Sequence, residues 1–209
     1  MRWLFALILA TAPAFAEGEK AGAFDYYVMA LSWSASWCAA EGDARGADQC
    51  DPRHDHTFVL HGLWPQNELG WPSWCRTVER DATRGETAGM ADVMGSAGSA
   101  WHQWKKHGRC SGLAAADYFA LARKALARVA IPAVFAQVDR TLRVDPAVIE
   151  AAFVEANPGL SAPMITVTCK DGRIAEARIC LTRDLAFRAC GPDAARDCRM
   201  TGAELPPVR

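Results

Sequence analysis

Hydrophobic positions along the chain follow a strand period first, a helical period in the middle and a strand period again near the end. Residues 24–33, FDYYVMALSW, alternate Tyr27, Met29 and Leu31 with Val28, Ala30 and Ser32, and few charges interrupt them. Two apolar faces predict a central strand sealed on both sides. Residues 39–56 are charged, carry Gly42 and Gly46 and show no apolar period, which predicts a loop tied most simply by Cys38 and Cys50. Residues 57–63, TFVLHGL, predict a second strand that Trp64-Pro65 ends.

Residues 67–98 read as mostly irregular, with a weak helix near 89–94. A firmer helix is predicted over 99–107, with Gly108 as its C-terminal cap. Residues 116–129 predict a helix that buries Tyr118, Leu121, Ala125 and Val129 and carries Asp117 near its positive start. Asp145-Pro146 opens a helix through Asn157, with Val148, Ile149 and Phe153 as the apolar stripe. Alternation returns over 164–169 and 174–181 around the turn signal Asp171-Gly172, and 185–189 offers a further strand. Pro206-Pro207 reads as a stiff surface end. Helices interrupt strands without a βαβ rhythm, so the predicted class is α+β: one domain over 17–209, its central, mainly antiparallel sheet flanked by helices.

Composition narrows the picture. Hydrophobic residues make up 51% and charged residues 22% of 209, which excludes disorder as the main state. With 23 basic and 24 acidic side chains the net charge is -1, so no broad basic surface holds duplex by charge alone. Residues 1–16, MRWLFALILATAPAFA, combine Arg2, an apolar run and the small-x-small site Ala14-Phe15-Ala16, which reads as a secretory signal peptide. The run is too short for the alternative, a membrane anchor. The expected location is therefore periplasmic or secreted, an oxidising space in which disulfides persist. All eight cysteines lie beyond residue 16 and lack the paired CxxC of a zinc site; eight allow 105 pairings.

Two of the five histidines sit in dense sequence. His61 in HGLWPQ follows an apolar strand and precedes Gly62, which permits close backbone approach. His107 ends WHQWKKHGRC, where helical spacing brings Gln103, Lys106 and His107 to one face, sends Trp104 elsewhere and lets His102 reach the site's edge. Two imidazoles can divide acid and base duties near neutral pH, and a cation with an amide can bear charge growing on phosphoryl oxygens. No carboxylate cluster offers hard metal ligands, and the histidine spacing is not HExxH, so no metal or cofactor is expected. Ser32, Ser34 and Ser36 form no GxSxG elbow. His54 and His56 lie in a charged loop, and Trp64, Trp71 and Trp74 suit either a core or base stacking.

HGLWPQ at 61–66 and WHQWKKHGRC at 101–110 resemble the two active-site segments of the ribonuclease T2 family; YYVMALSWSASWC at 26–38 resembles its first core strand, and the pattern around Cys169, Cys180 and Cys190 also fits. The resemblance implies a metal-independent endoribonuclease acting on single-stranded RNA with little base preference. Its products are 2′,3′-cyclic phosphates, later hydrolysed to 3′-phosphates. Residue by residue it implies His107 as general base, His61 as general acid, Lys106 as the cation on the phosphorane, His102 as a phosphate holder, and Trp64, Gln66 and Trp71 as base contacts. It further implies the disulfides Cys38–Cys50, Cys75–Cys110, Cys169–Cys198 and Cys180–Cys190. DNA, lacking the attacking 2′-hydroxyl, should resist; no membrane partner is expected, and a monomer is the default.

The chain departs from the family pattern at Gln103, where the family usually has Glu. Gln keeps the size and donates a hydrogen bond but holds no exchangeable acid proton, so His107 is expected to be less basic than beside a Glu. Arg109, where a small Thr is commoner, either meets phosphate or faces solvent. The alternatives are a non-catalytic RNA-binding or defence protein that keeps the fold, supported only by Gln103, and a metal phosphoesterase.

Overall fold

The structure is a computed structural model that describes residues 19–209; the expected signal peptide at 1–16 lies outside the described residues. In chain order the strands are β1 (Tyr26–Trp33), β2 (Phe58–Gln66), β3 (Leu142–Val144), β4 (Ile165–Lys170), β5 (Arg173–Leu181) and β6 (Ala203–Leu205). The helices are α1 (Ser34–Trp37), α2 (Arg84–Ala88), α3 (Ala91–Met94), α4 (Ala97–Lys106), α5 (Ala115–Ala127) and α6 (Pro146–Ala156). The sheet runs β2-β1-β5-β6-β3, with β4 also paired to β5, and only the short β5–β6 contact is parallel. This is the α+β architecture expected from the sequence.

Strand parity builds two unequal faces. On β1, Tyr27, Met29, Leu31 and Trp33 enter the main core under the helices, joined from β5 by Ala177, Ile179 and Leu181. Tyr26, Val28 and Ala30 point the other way, into a small cluster with Trp64, Cys180 and Ala194. On that second face β5 carries Glu176 and Arg178, whose register partners on β1 are Ser32 and Ala30. The main core therefore supplies a stiff floor, and the opposite face of the same strands carries polar groups.

Several local expectations are corrected. β2 does not stop at Trp64 but continues through Pro65 to Gln66, because β2 is an edge strand, where a Pro that lacks its N–H is tolerated. Residues 34–54 form a chain of short helical turns around Cys38–Cys50 rather than an open loop. Leu185–Ala189 is no strand: it contributes a single bridge, Leu181 to Phe187, while the short pair β3 and β6 forms an antiparallel ladder at the far edge. Val148 faces solvent, leaving Ile149 and Phe153 to anchor α6.

α4 starts at a Ser96 cap, whose hydroxyl accepts from the Ser99 N–H at 3.0 Å. It does not end on a left-handed Gly108. His107 is the cap, Gly108–Ser111 forms a tighter turn, and Gly112 takes the left-handed conformation at φ 76°. Gly108 is required for space instead: a Cβ there would lie 2.6 Å from Trp104 and 2.9 Å from Tyr118. Tyr118 in turn donates to the Leu63 carbonyl at 2.9 Å, tying α5 to β2. Disulfides Cys38–Cys50, Cys75–Cys110, Cys169–Cys198 and Cys180–Cys190 brace the loops.

The close packing at Gly108 gives a measurable expectation. Gly108→Ala should destabilise the fold by about 1–3 kcal/mol through overpacking against Trp104 and Tyr118. Urea denaturation checks it; an unchanged midpoint would show that these rings give way freely.

Candidate active site

His61 owes its position to an irregularity. Leu60 pairs with Leu31 and Gly62 with Ala30, so His61 is the extra residue of a β-bulge. A bulge re-aims a side chain without breaking the strand, and here the partly exposed imidazole faces the polar side of the sheet. Its Nδ1 makes a short contact with a carboxylate oxygen of Glu176 on β5. Gly62 then lets the backbone pass beneath Trp64: a Cβ would lie 2.3 Å from the indole Nε1 and 2.5 Å from Gln103 Oε1.

Trp64 joins the two motifs. Its Nε1 donates to Gln103 Oε1 at 2.8 Å, and since an indole N–H only donates, this end of the amide is the oxygen. The His61 ring meets the indole edge-on at 5.3 Å, and the His107 ring stacks on it at 5.0 Å between centroids. The Arg178 guanidinium lies over the same indole at 5.2 Å. Both imidazoles therefore touch one aromatic ring.

α4 and the turn after it supply the opposing wall. Trp104 is buried in the core, while Gln103, Lys106 and His107 line one cavity with the exposed His102 at its edge. This cavity of about 390 Å³ is also lined by His61, Trp64, Gln66, Trp71, Glu176, Arg178, Asp193 and Ala194. A wider cleft of about 900 Å³ shares His61, His102, Gln103, Glu176 and Arg178 with it, so these five residues stand at the junction. Cys75–Cys110 and the 2.8 Å bond from the Trp74 N–H to the Lys106 carbonyl pin the chain before residue 76 to the end of α4. All eight site residues read from the sequence meet here. Trp71 does so from a loop, and Trp74 lies edge-on to His102 at 5.8 Å.

The electrostatics of the two imidazoles differ. His107 is 5% exposed and its Nδ1 has no hydrogen-bond partner. Burial first, and then the charges of Lys106, His61, His102 and Arg178, push it down to about 3. The main cause is thus desolvation. His102 is lowered too, by burial and then by Lys106 and His61. Burial would push the Glu176 carboxyl up, but its bond to His61 and the charges of His61 and Arg178 prevail and bring it to about 2. His61 thus faces a permanent anion, and His107 faces cations only.

Sequence reasoning missed Glu176 and Arg178. Their signal was present: a carboxylate and a guanidinium two apart inside the apolar strand RIAEARICL must share one face of a sheet. Arg109 turns away from the site and pairs with Asp81, which also holds Lys105 at 3.1 Å. Among the described residues the one metal-ligand cluster, Cys38, Asp43 and Cys50, has its two sulfurs bonded to each other.

The buried neutral His107 links stability to pH. An unfolded chain takes up this proton near 6.5, the folded one only near 3, so the stability it contributes is full above pH 6.5 and is lost as pH falls toward 3. His107→Gln should therefore lose roughly 1–2 kcal/mol less than the native chain between pH 7 and pH 5. Urea titrations at the two values test this; identical losses would contradict a neutral buried His107.

Comparison with known proteins places this geometry. The model of the ribonuclease T2 family matches residues 24–190. A ribonuclease of Aeromonas hydrophila is 48% identical over 108 residues, covering 51% of this chain and 46% of its own. A probable ribonuclease of Haemophilus influenzae is 31% identical over 116 residues, covering 49% and 43%. The matched region thus spans less than half the length of these relatives. An RNase-related protein from Calystegia sepium has the same fold, with a TM-score of 0.66 over 91% of this chain and 98% of its own at 19% identity. RNase NT, solved with 5′-AMP, gives 0.58 over 89% and 99% at 22% identity. No described helix is long and apolar enough to cross a membrane. By the extent of the family match and the shared fold, this chain belongs to the ribonuclease T2 family.

Proposed function

We propose that the chain is an endoribonuclease that cleaves single-stranded RNA without metal or cofactor, by transphosphorylation. The observation that carries this reading is the pair of imidazoles on one indole, one against a carboxylate and one buried among cations, beside Lys106. A ring that its surroundings keep neutral suits the role of base. His107, neutral over the working range, takes the proton of the 2′-hydroxyl. The 2′-oxygen then bonds to phosphorus and the bond to the 5′-oxygen breaks. His61 gives its Nε2 proton to that leaving oxygen, and the roles reverse when water opens the cyclic phosphate to a 3′-phosphate.

The remaining groups bind and neutralise. The Lys106 ammonium forms no ion pair among the described residues and lines the cavity, so it meets the charge on the phosphorane oxygens. With Gln103 Oε1 held by Trp64, the amide NH2 is the end that donates to phosphate. His102 holds the phosphate from the cleft edge. The smaller cavity has room for a nucleoside, with Trp64, Gln66 and Trp71 against the base; stacking there favours no single base. Four disulfides and the signal-like residues 1–16 support an exported, periplasmic or secreted protein acting as a monomer.

Digestion of single-stranded RNA with and without excess EDTA tests the reading. Cleavage should persist in EDTA, yield 2′,3′-cyclic phosphate, spare DNA and fall about 10²- to 10⁴-fold in His61→Ala and His107→Ala. EDTA-sensitive cleavage would point to a metal phosphoesterase, and RNA binding without cleavage to a non-catalytic member of the fold.

A further inference from the structure

A carboxylate buried in the middle of a sheet is costly unless something charged holds it. Glu176 is 7% exposed, and two groups hold it. One of its oxygens contacts His61 Nδ1. The other accepts from Arg178 Nε at 2.8 Å and Nη2 at 2.7 Å. Strand geometry makes this arrangement rigid, because Glu176 and Arg178 stand two apart on one face of β5 and β1 separates them from the bulge that carries His61.

Of the acidic residues lining the two cavities, Glu176 alone touches an imidazole. Glu41 is held by Lys170 at 2.7 Å and Arg45 at 2.8 Å. Asp193 is held by Arg196 at 2.8 Å and the Gly70 N–H at 2.6 Å. Position 103, a carboxylate in the resembling pattern, is here an amide engaged with Trp64. The site's one anionic contact to a histidine therefore comes from β5, outside both sequence motifs.

We infer that Glu176, fixed by Arg178, is the positioning residue for His61: it accepts from Nδ1–H and sets the ring's orientation, so that Nε2 is the nitrogen that meets the leaving oxygen. The inference rests on the proposed ribonuclease chemistry and deepens it. It separates Glu176 from a merely structural ion pair by one consequence. A group that acts through the acid matters only where the leaving group needs a proton.

Two substrates with the same uridine 3′-phosphodiester make the test. One is the dinucleotide uridylyl-adenosine, whose leaving nucleoside oxygen must be protonated. The other is uridine 3′-(4-nitrophenyl phosphate), whose phenolate leaves unaided. Glu176→Gln should lower kcat on the dinucleotide about 10- to 100-fold and change the nitrophenyl ester less than about threefold. Glu176→Asp should recover part of the loss. In a His61→Ala background, Glu176→Gln should have no further effect on the dinucleotide. Equal losses on both substrates, or none on either, would overturn the positioning role. Retained turnover of the nitrophenyl ester itself shows that the variant is folded. If the native chain cleaves neither substrate, the ribonuclease reading fails, a result distinct from a selective or unselective effect of Glu176.

Discussion

One buried indole organises the site. Trp64 is gripped from four sides: Gln103 takes its N–H, Arg178 covers a face, His107 stacks and His61 abuts an edge. Each contact alone is modest, about 1 kcal/mol for the hydrogen bond and a similar order for the cation on the ring. Together they leave the indole one position, and both imidazoles lie against it. Removing Gln103 would strand the buried indole N–H, which costs more than the lost bond.

The grip requires strand, bulge and helix to meet at close quarters, and small residues allow this. Gly62 removes the side chain that would collide with Trp64 and Gln103, and Gly108 lets the end of α4 lie against Tyr118. Cys75–Cys110 and Tyr118 to Leu63 hold the two motifs in one frame. The two imidazoles sit at different depths. His61 stays at the cleft with a carboxylate behind it, whereas His107 sinks into a wall where only cations approach.

Much of this was legible in the sequence. Alternation marked β1, β4 and β5, capping and spacing marked α5 and α6, and the two histidine motifs named the residues that now meet around Trp64. What escaped has physical reasons. Pro65 reads as a strand end unless the strand is known to lie at an edge, which is a tertiary fact. The three-residue strands β3 and β6 carry too few positions for a period. Glu176 and Arg178 lie more than a hundred residues from His61, and their partnership exists only once β1 sets β2 and β5 on either side of it. A bulge leaves no mark in apolar alternation beyond one residue out of step.

A buried His107 that stays neutral, beside a His61 held at Nδ1 by Glu176, is the central claim, and imidazole ¹⁵N chemical shifts report it most directly. His107 should keep the shifts of a neutral ring from pH 8 down to pH 4, with His61 showing a proton on Nδ1 held by Glu176. A His107 that titrates near its ordinary value of about 6.5 would contradict it.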